Sequence, residues 1–167
     1  MDARSENQPI ASKNRTTVER SSEREILVTR TVNGPARLVW EAWTKAELFK
    51  QWWVPKSFGL TLLSCEVDAR VGGKYRLVFR HGGGEMAFFG KYLEVIPNSR
   101  LVWTNEETEG GAISTLTLEE KAGKTLVLLR DLFPSKEACD AAMTSGEKDG
   151  SGETFEQLDA LLVALAG

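Results

Sequence analysis

Histidine and cysteine, the residues most often used for metal binding and nucleophilic chemistry, are scarce in this chain. His81 is the one histidine, and Cys65 and Cys139 are the two cysteines. A serine or cysteine nucleophile needs a base within hydrogen-bond reach. His81 opens a glycine-rich turn, His81-Gly82-Gly83-Gly84, which places it at an exposed sheet edge, and no catalytic residue is assigned. Cys65, Cys139 and His81 lie on separate segments without ligand spacing, which argues against a metal site. No cofactor is expected. Two distant cysteines outside any paired motif read as reduced thiols of a cytoplasmic protein.

Other absences narrow the field further. No apolar run reaches the roughly 18 residues that a membrane-spanning helix requires. The N-terminus lacks a positive segment followed by an apolar stretch, so no secretory signal is expected. The formal net charge is −3, and no basic stripe marks a nucleic-acid partner.

What remains fits one globular domain. The 167 residues are 41% hydrophobic and 27% charged, enough to bury a core without disulfides or metals. Residues 1–24 are polar and charged without apolar periodicity. Such a segment buries too little surface to offset its ordering entropy, and it is expected to be a flexible tail. The folded domain is expected to span 25–167.

Within it, residues 25–32 (EILVTRTV) read as a strand. Pro35 suits a first helical turn, and Val39, Trp40 and Trp43 give one helical face. A second short helix runs through Leu48, Phe49 and Trp52 and stops before Pro55. The period then changes to two. Strands are predicted over 60–67, 74–80, 85–95, 100–105, 112–120 and 125–133. Tyr75, Leu77 and Phe79 alternate with Arg76 and Arg80, and Leu116 and Leu118 with Thr115 and Thr117. Residues 125–133 (TLVLLRDLF) are apolar on both faces for four positions, as in a strand covered on both sides. Ser135 is a helix N-cap candidate. Apolar positions follow at Ala138, Cys139, Ala142 and Met143, and again at Phe155, Leu158, Leu161, Leu162 and Leu165. One long helix is expected, bent or loosened at Gly146, Gly150 and Gly152, with two helices as the alternative. Short spacers between strands imply an antiparallel meander. The class is therefore α+β: a curved sheet of about seven strands around a long C-terminal helix, with two short helices after the first strand.

Four segments carry a family resemblance: Val39-Trp40 with Trp43-Thr44; Trp52-Trp53-Val54-Pro55-Lys56-Ser57-Phe58; Val67-Asp68-Ala69-Arg70-Val71-Gly72-Gly73; and Phe133-Pro134-Ser135. Gly90, Glu94, Pro97 and Arg100-Leu101-Val102 fit as well. Over residues 25–165 the chain resembles the domain named after the C-terminal part of the heat-shock protein 90 ATPase activator. That family belongs to the helix-grip superfamily, with START domains and the birch-pollen allergen class. The resemblance implies the helix-grip fold and an inner cavity. It does not imply one function, because members are similar to co-chaperones, lipid or polyketide binders and a few cyclases. Near Glu147 the family usually carries a large residue, and this chain departs from it with a charged one.

Candidate cavity residues come from the apolar faces of these elements. Trp53 and Phe58 belong to the tryptophan segment, and Leu77, Phe79, Phe88 and Trp103 to the central strands. Leu116 and Leu128 belong to the last two strands, and Met143 and Phe155 to the C-terminal helix. These side chains form either the cavity wall or the core. One ring of Trp52-Trp53 could line the mouth, or both could pin the short helices to the sheet. Arg130 shares parity with Leu126 and Leu128. If it points inward it needs a carboxylate such as Glu85 or Glu106, or a ligand anion; otherwise it is exposed. The Asp68-x-Arg70-x-Gly72-Gly73 segment does not match a phosphate loop and reads as a tight turn with Asp68 accepting backbone hydrogen bonds.

Three functions follow. The first is a non-catalytic protein that binds a small hydrophobic or aromatic molecule. The second is a chaperone-regulating interaction module. The third is a cyclase or hydrolase, for which Arg130, Glu85, Glu106, Tyr75 and Tyr92 are the available titratable groups.

Overall fold

The computed structural model describes residues 16–108, 111–145 and 151–166. Eight strands form one antiparallel sheet: β1 (Thr17–Ser22), β2 (Glu25–Val32), β3 (Thr61–Val67), β4 (Lys74–His81), β5 (Gly84–Ile96), β6 (Arg100–Thr104), β7 (Ile113–Lys121) and β8 (Lys124–Leu132). The helices are α1 (Ala36–Thr44), α2 (Ala46–Phe49), α3 (Lys136–Ser145) and α4 (Ser151–Ala166), with a 3-10 turn at Lys56–Phe58. The expected α+β helix-grip architecture is present.

Strand order is β1-β2-β8-β7-β6-β5-β4-β3. The meander from β3 to β8 is thus extended at its end by the N-terminal hairpin. The chain between β2 and β3 must travel from one side of the sheet to its far edge, and α1 and α2 make that journey. Strand β5 is 13 residues long. Its first half pairs with β4 and its second half with β6, with a register break between Tyr92 and Glu94. A bulge of this kind bends a strand. At the bend, a Cβ on Gly90 would lie 2.1 Å from the Thr104 carbonyl oxygen, so only glycine permits the approach.

Helix α4 lies against β2 and α1. Its inward residues Phe155, Leu158 and Leu162 are buried with Val32, Val39, Trp43 and Trp52. Polar contacts fix it in place. Asp159 accepts from Arg30 at 2.6 Å and from the Asn33 backbone N–H at 2.8 Å. Gln157 donates to the Trp52 and Val54 carbonyls, both at 2.9 Å. Arg30, only 3% exposed, also donates to Thr16 Oγ1 at 2.9 Å. A buried guanidinium without such partners would be strongly destabilising.

Two expectations are corrected here. Residues 17–22 form an edge strand paired with β2, so the folded part begins by Thr17 rather than Glu25. All six side chains of β1 are exposed; its backbone pairing holds it, and that leaves no apolar pattern to read. The remainder of the anticipated tail, residues 1–15, lies outside the described residues. The C-terminal apolar stripe is carried by α3 and α4, and the residues that join them, 146–150, lie outside the described residues. Gly146, Glu147 and Gly150 are among these, and Gly152 sits in the first turn of α4.

The second correction concerns β8. Its inward residues are Thr125, Val127, Leu129 and Asp131. Leu128 and Arg130 take the opposite face. Leu129 pairs with both Val28 and Leu116, and Asp131 with both Ile26 and Ser114. These buried neighbours decide the register that four consecutive apolar residues left ambiguous. A one-residue shift in parity moves every side chain to the other face.

Candidate functional site

A half-open pocket of about 660 Å³ lies between α3 and the concave face of the sheet. Trp43, Phe49 and Trp53 form one wall, Tyr75, Leu77, Phe88 and Tyr92 another. Leu101, Trp103 and Leu129 lie deeper. The α3 side supplies Ala138, Ala141 and Ala142. Ser135 caps this helix, its Oγ accepting from the Ala138 N–H at 3.1 Å. Alanine side chains reach only a short distance, and the space in front of them stays open.

A chain of hydrogen bonds runs along the polar end. The Tyr75 hydroxyl donates to the Thr104 carbonyl at 2.7 Å and lies 3.3 Å from Asn105 Oδ1. Asn105 Nδ2 donates to the Ala112 carbonyl at 2.7 Å and to Ser114 Oγ at 2.9 Å. Ser114 in turn donates to Asp131 Oδ1 at 2.6 Å. Each step fixes the direction of the next, and the Asp131 carboxylate is the final acceptor. Asp131 is 6% exposed. Glu107 also lines the pocket, its Oε1 accepting from the Phe89 N–H at 3.2 Å.

Burial pushes the Tyr75 hydroxyl well above the usual phenol range, and the nearby Glu107 carboxylate adds to the shift. Burial raises Tyr92 in the same direction. Both keep their protons at neutral pH and act as donors rather than bases. The Trp43 indole N–H is buried and has no hydrogen-bond partner among the described residues.

The structure divides the sequence candidates into three groups. Trp53, Leu77, Phe88 and Trp103 line the pocket. Phe79, Leu116 and Phe155 are buried but belong to the packed core, with Phe155 against the rings of Trp43 and Trp52. Phe58, Leu128, Arg130 and Met143 lie elsewhere. Phe58 is 45% exposed on the 3-10 turn, and Met143 is 41% exposed on the outer side of α3. Arg130 faces away from the pocket, 3.8 Å from Glu25 rather than near Glu85 or Glu106.

The two readings of the tryptophan pair are both realised, one by each ring. Trp52 is fully buried and its indole N–H donates to the Ala42 carbonyl at 2.9 Å, pinning α1. Trp53 faces the pocket. Asp68 makes an ion pair with Arg70 at 2.9 Å, and the tight turn is held by backbone bonds such as Arg70 N–H to the Asp68 carbonyl. Its carboxylate therefore serves Arg70 and not the backbone. Cys139 is buried, and Cys65 lies 3.9 Å from the Ala46 carbonyl. Burial raises the Cys65 thiol above its ordinary value, which lowers its thiolate fraction. Among the described residues, no group of three or more His, Cys, Asp or Glu is placed to hold a metal ion, and no helix is long and apolar enough to cross a membrane.

The sequence reading missed Asn105, Ser114 and Asp131. Asp131 carried a usable signal: an acidic residue inside the apolar run of β8, on the same parity as Val127 and Leu129.

A curved antiparallel sheet closed by a C-terminal helix, with a pocket on its concave side, defines the helix-grip class of α+β domains. Within that class the chain belongs to the family described as Activator of Hsp90 ATPase homolog 1-like protein, whose model matches residues 33–163. Solved structures show the same fold. A Rhodobacter sphaeroides protein superposes with a TM-score of 0.83 at 22% identity, over 90% of this chain and 99% of its own. A Nitrosomonas europaea protein gives 0.79 at 26% identity, over 87% and 98%. A Chromobacterium violaceum protein gives 0.67 at 31% identity, over 82% and 96%. No curated protein matches the chain.

Proposed function

We propose that the chain is a non-catalytic binding protein whose pocket takes a small hydrophobic or aromatic molecule. The observation that carries this reading is the pocket of about 660 Å³ bounded by tryptophan, tyrosine, phenylalanine and leucine side chains. Ligand sites are commonly of this size, largely apolar, with a few placed polar groups. The buried Tyr75–Asn105–Ser114–Asp131 chain is such a group. Catalysis is not favoured: Arg130 lies on the other face, and both pocket tyrosines hold their protons tightly. Two free thiols, Cys65 and Cys139, fit a cytoplasmic setting.

Thermal-shift screening with lipids, flavonoids and polyketide-like aromatics tests this reading. The expected result is a concentration-dependent rise in Tm with at least one class. Absence of any rise, with native mass spectrometry also showing no bound molecule, contradicts it. Family membership supports a second reading, regulation of a chaperone. Its test is stimulation of the ATPase of the host's heat-shock protein 90 homologue by the purified chain.

A further inference from the structure

We infer that the pocket selects molecules carrying a cationic amine on an aromatic or apolar body, and disfavours carboxylates; this rests on the pocket-binding reading above. The described residues lining the pocket include two carboxylates, Asp131 and Glu107, and no lysine, arginine or histidine. In the buried chain the donors are already committed. The Tyr75 proton goes to the Thr104 carbonyl, the Asn105 amide to Ala112 and Ser114, and the Ser114 proton to Asp131. An incoming anion therefore meets the negative charge of Asp131 and Glu107, and the hydrogen-bond network from Tyr75 to Asp131 has already committed its protons. An incoming ammonium meets carboxylates that can accept from it, and charge-assisted bonds of this kind are the strong ones.

The walls reinforce the preference. Trp43, Trp53, Tyr75, Tyr92, Phe88 and Trp103 surround the same space, and the negative face of an aromatic ring attracts a cation. Removing an ammonium from water is costly unless such partners replace its hydration. The arrangement reverses what an inward Arg130 would imply: that arginine would have welcomed a carboxylate, whereas Asp131 is the residue that turns inward.

Naphthylethylamine, naphthylethanol and naphthylacetate share one ring system and differ in charge. Titration of the full chain with each at neutral pH, by isothermal calorimetry, should rank amine above alcohol above carboxylate. The amine is expected to bind at least about ten-fold more tightly than the carboxylate. Glu107→Gln and Asp131→Asn should each reduce that ratio. Glu107→Gln alone suffices if Asp131→Asn does not fold. Equal affinities across the three probes, or tighter binding of the carboxylate, overturn the cationic preference and leave the pocket-binding reading intact. No binding by any of the three overturns both.

Discussion

Helices α3 and α4 meet the same sheet in different ways. Helix α4 presents Phe155, Leu158 and Leu162, large side chains that fill the space before β2 and α1. Arg30–Asp159 and the Gln157 amide then fasten it. Helix α3 presents Ala138, Ala141 and Ala142, and a pocket remains before it. It is fastened by a small buried cluster, Cys139 and Ala142 against Ile26, Ala112 and Phe133, together with the Ser135 cap and the ion pair between Arg20 and Asp140. Side-chain size on the inward face of each helix decides whether the fold closes on a core or on a cavity. The α4 half is filled by large side chains, whereas the α3 half combines a small buried cluster with open room.

That division can be broken from either side. The largest loss of stability is expected from Leu158→Ala, which empties a fully buried site under α4 and should cost about 3 kcal/mol in urea denaturation. A cost below about 1 kcal/mol would mean that the α4 half is loosely packed. Asp159→Asn comes next. It removes the charge facing Arg30, which is 3% exposed, and should cost about 2 kcal/mol in the same assay.

Ala141→Phe sharpens the contrast. Ala141 is an exposed residue at the rim of the pocket, so the change should leave stability within about 1 kcal/mol while abolishing naphthyl-probe binding. Unchanged binding would place the ligand site elsewhere.

The smallest effect concerns acid. Ser57 donates to Glu153 from its hydroxyl and its backbone N–H, and holds that carboxyl below its ordinary value. The unfolded chain then binds the proton more readily, so this contribution is present above the ordinary carboxylate pKa and lost as pH falls through the folded value. Glu153→Gln should slightly flatten the acid limb of Tm against pH; an unchanged limb would show that the contact contributes nothing.

Much of the sheet was legible because burial on one face leaves a period of two. Strand β4 buries Tyr75, Leu77 and Phe79, and β7 buries Leu116 and Leu118, as their alternation predicts. Strand β1 was invisible because all its side chains are exposed. In β8 the run Leu126–Leu129 carries no period, and only pairing with β2 and β7 selects the face. That ambiguity put Arg130 and Leu128 inside and left Asp131 unnoticed. The site was therefore legible in its apolar walls (Trp53, Leu77, Phe88 and Trp103) but not in its polar end. Asn105 and Ser114 come from the connection between β6 and β7 and from the start of β7, and their convergence on Asp131 is a product of register.

The most direct test of an open α3 half is methyl NMR during titration with naphthylethylamine. Leu101, Leu129 and the α3 alanines provide reporters on one side, Leu158 and Leu162 on the other. The account predicts saturable shifts concentrated at Leu101, Leu129, Ala141 and Ala142, with Leu158 and Leu162 little changed. Shifts centred on Leu158 and Leu162, or none at any of these methyls, would contradict it.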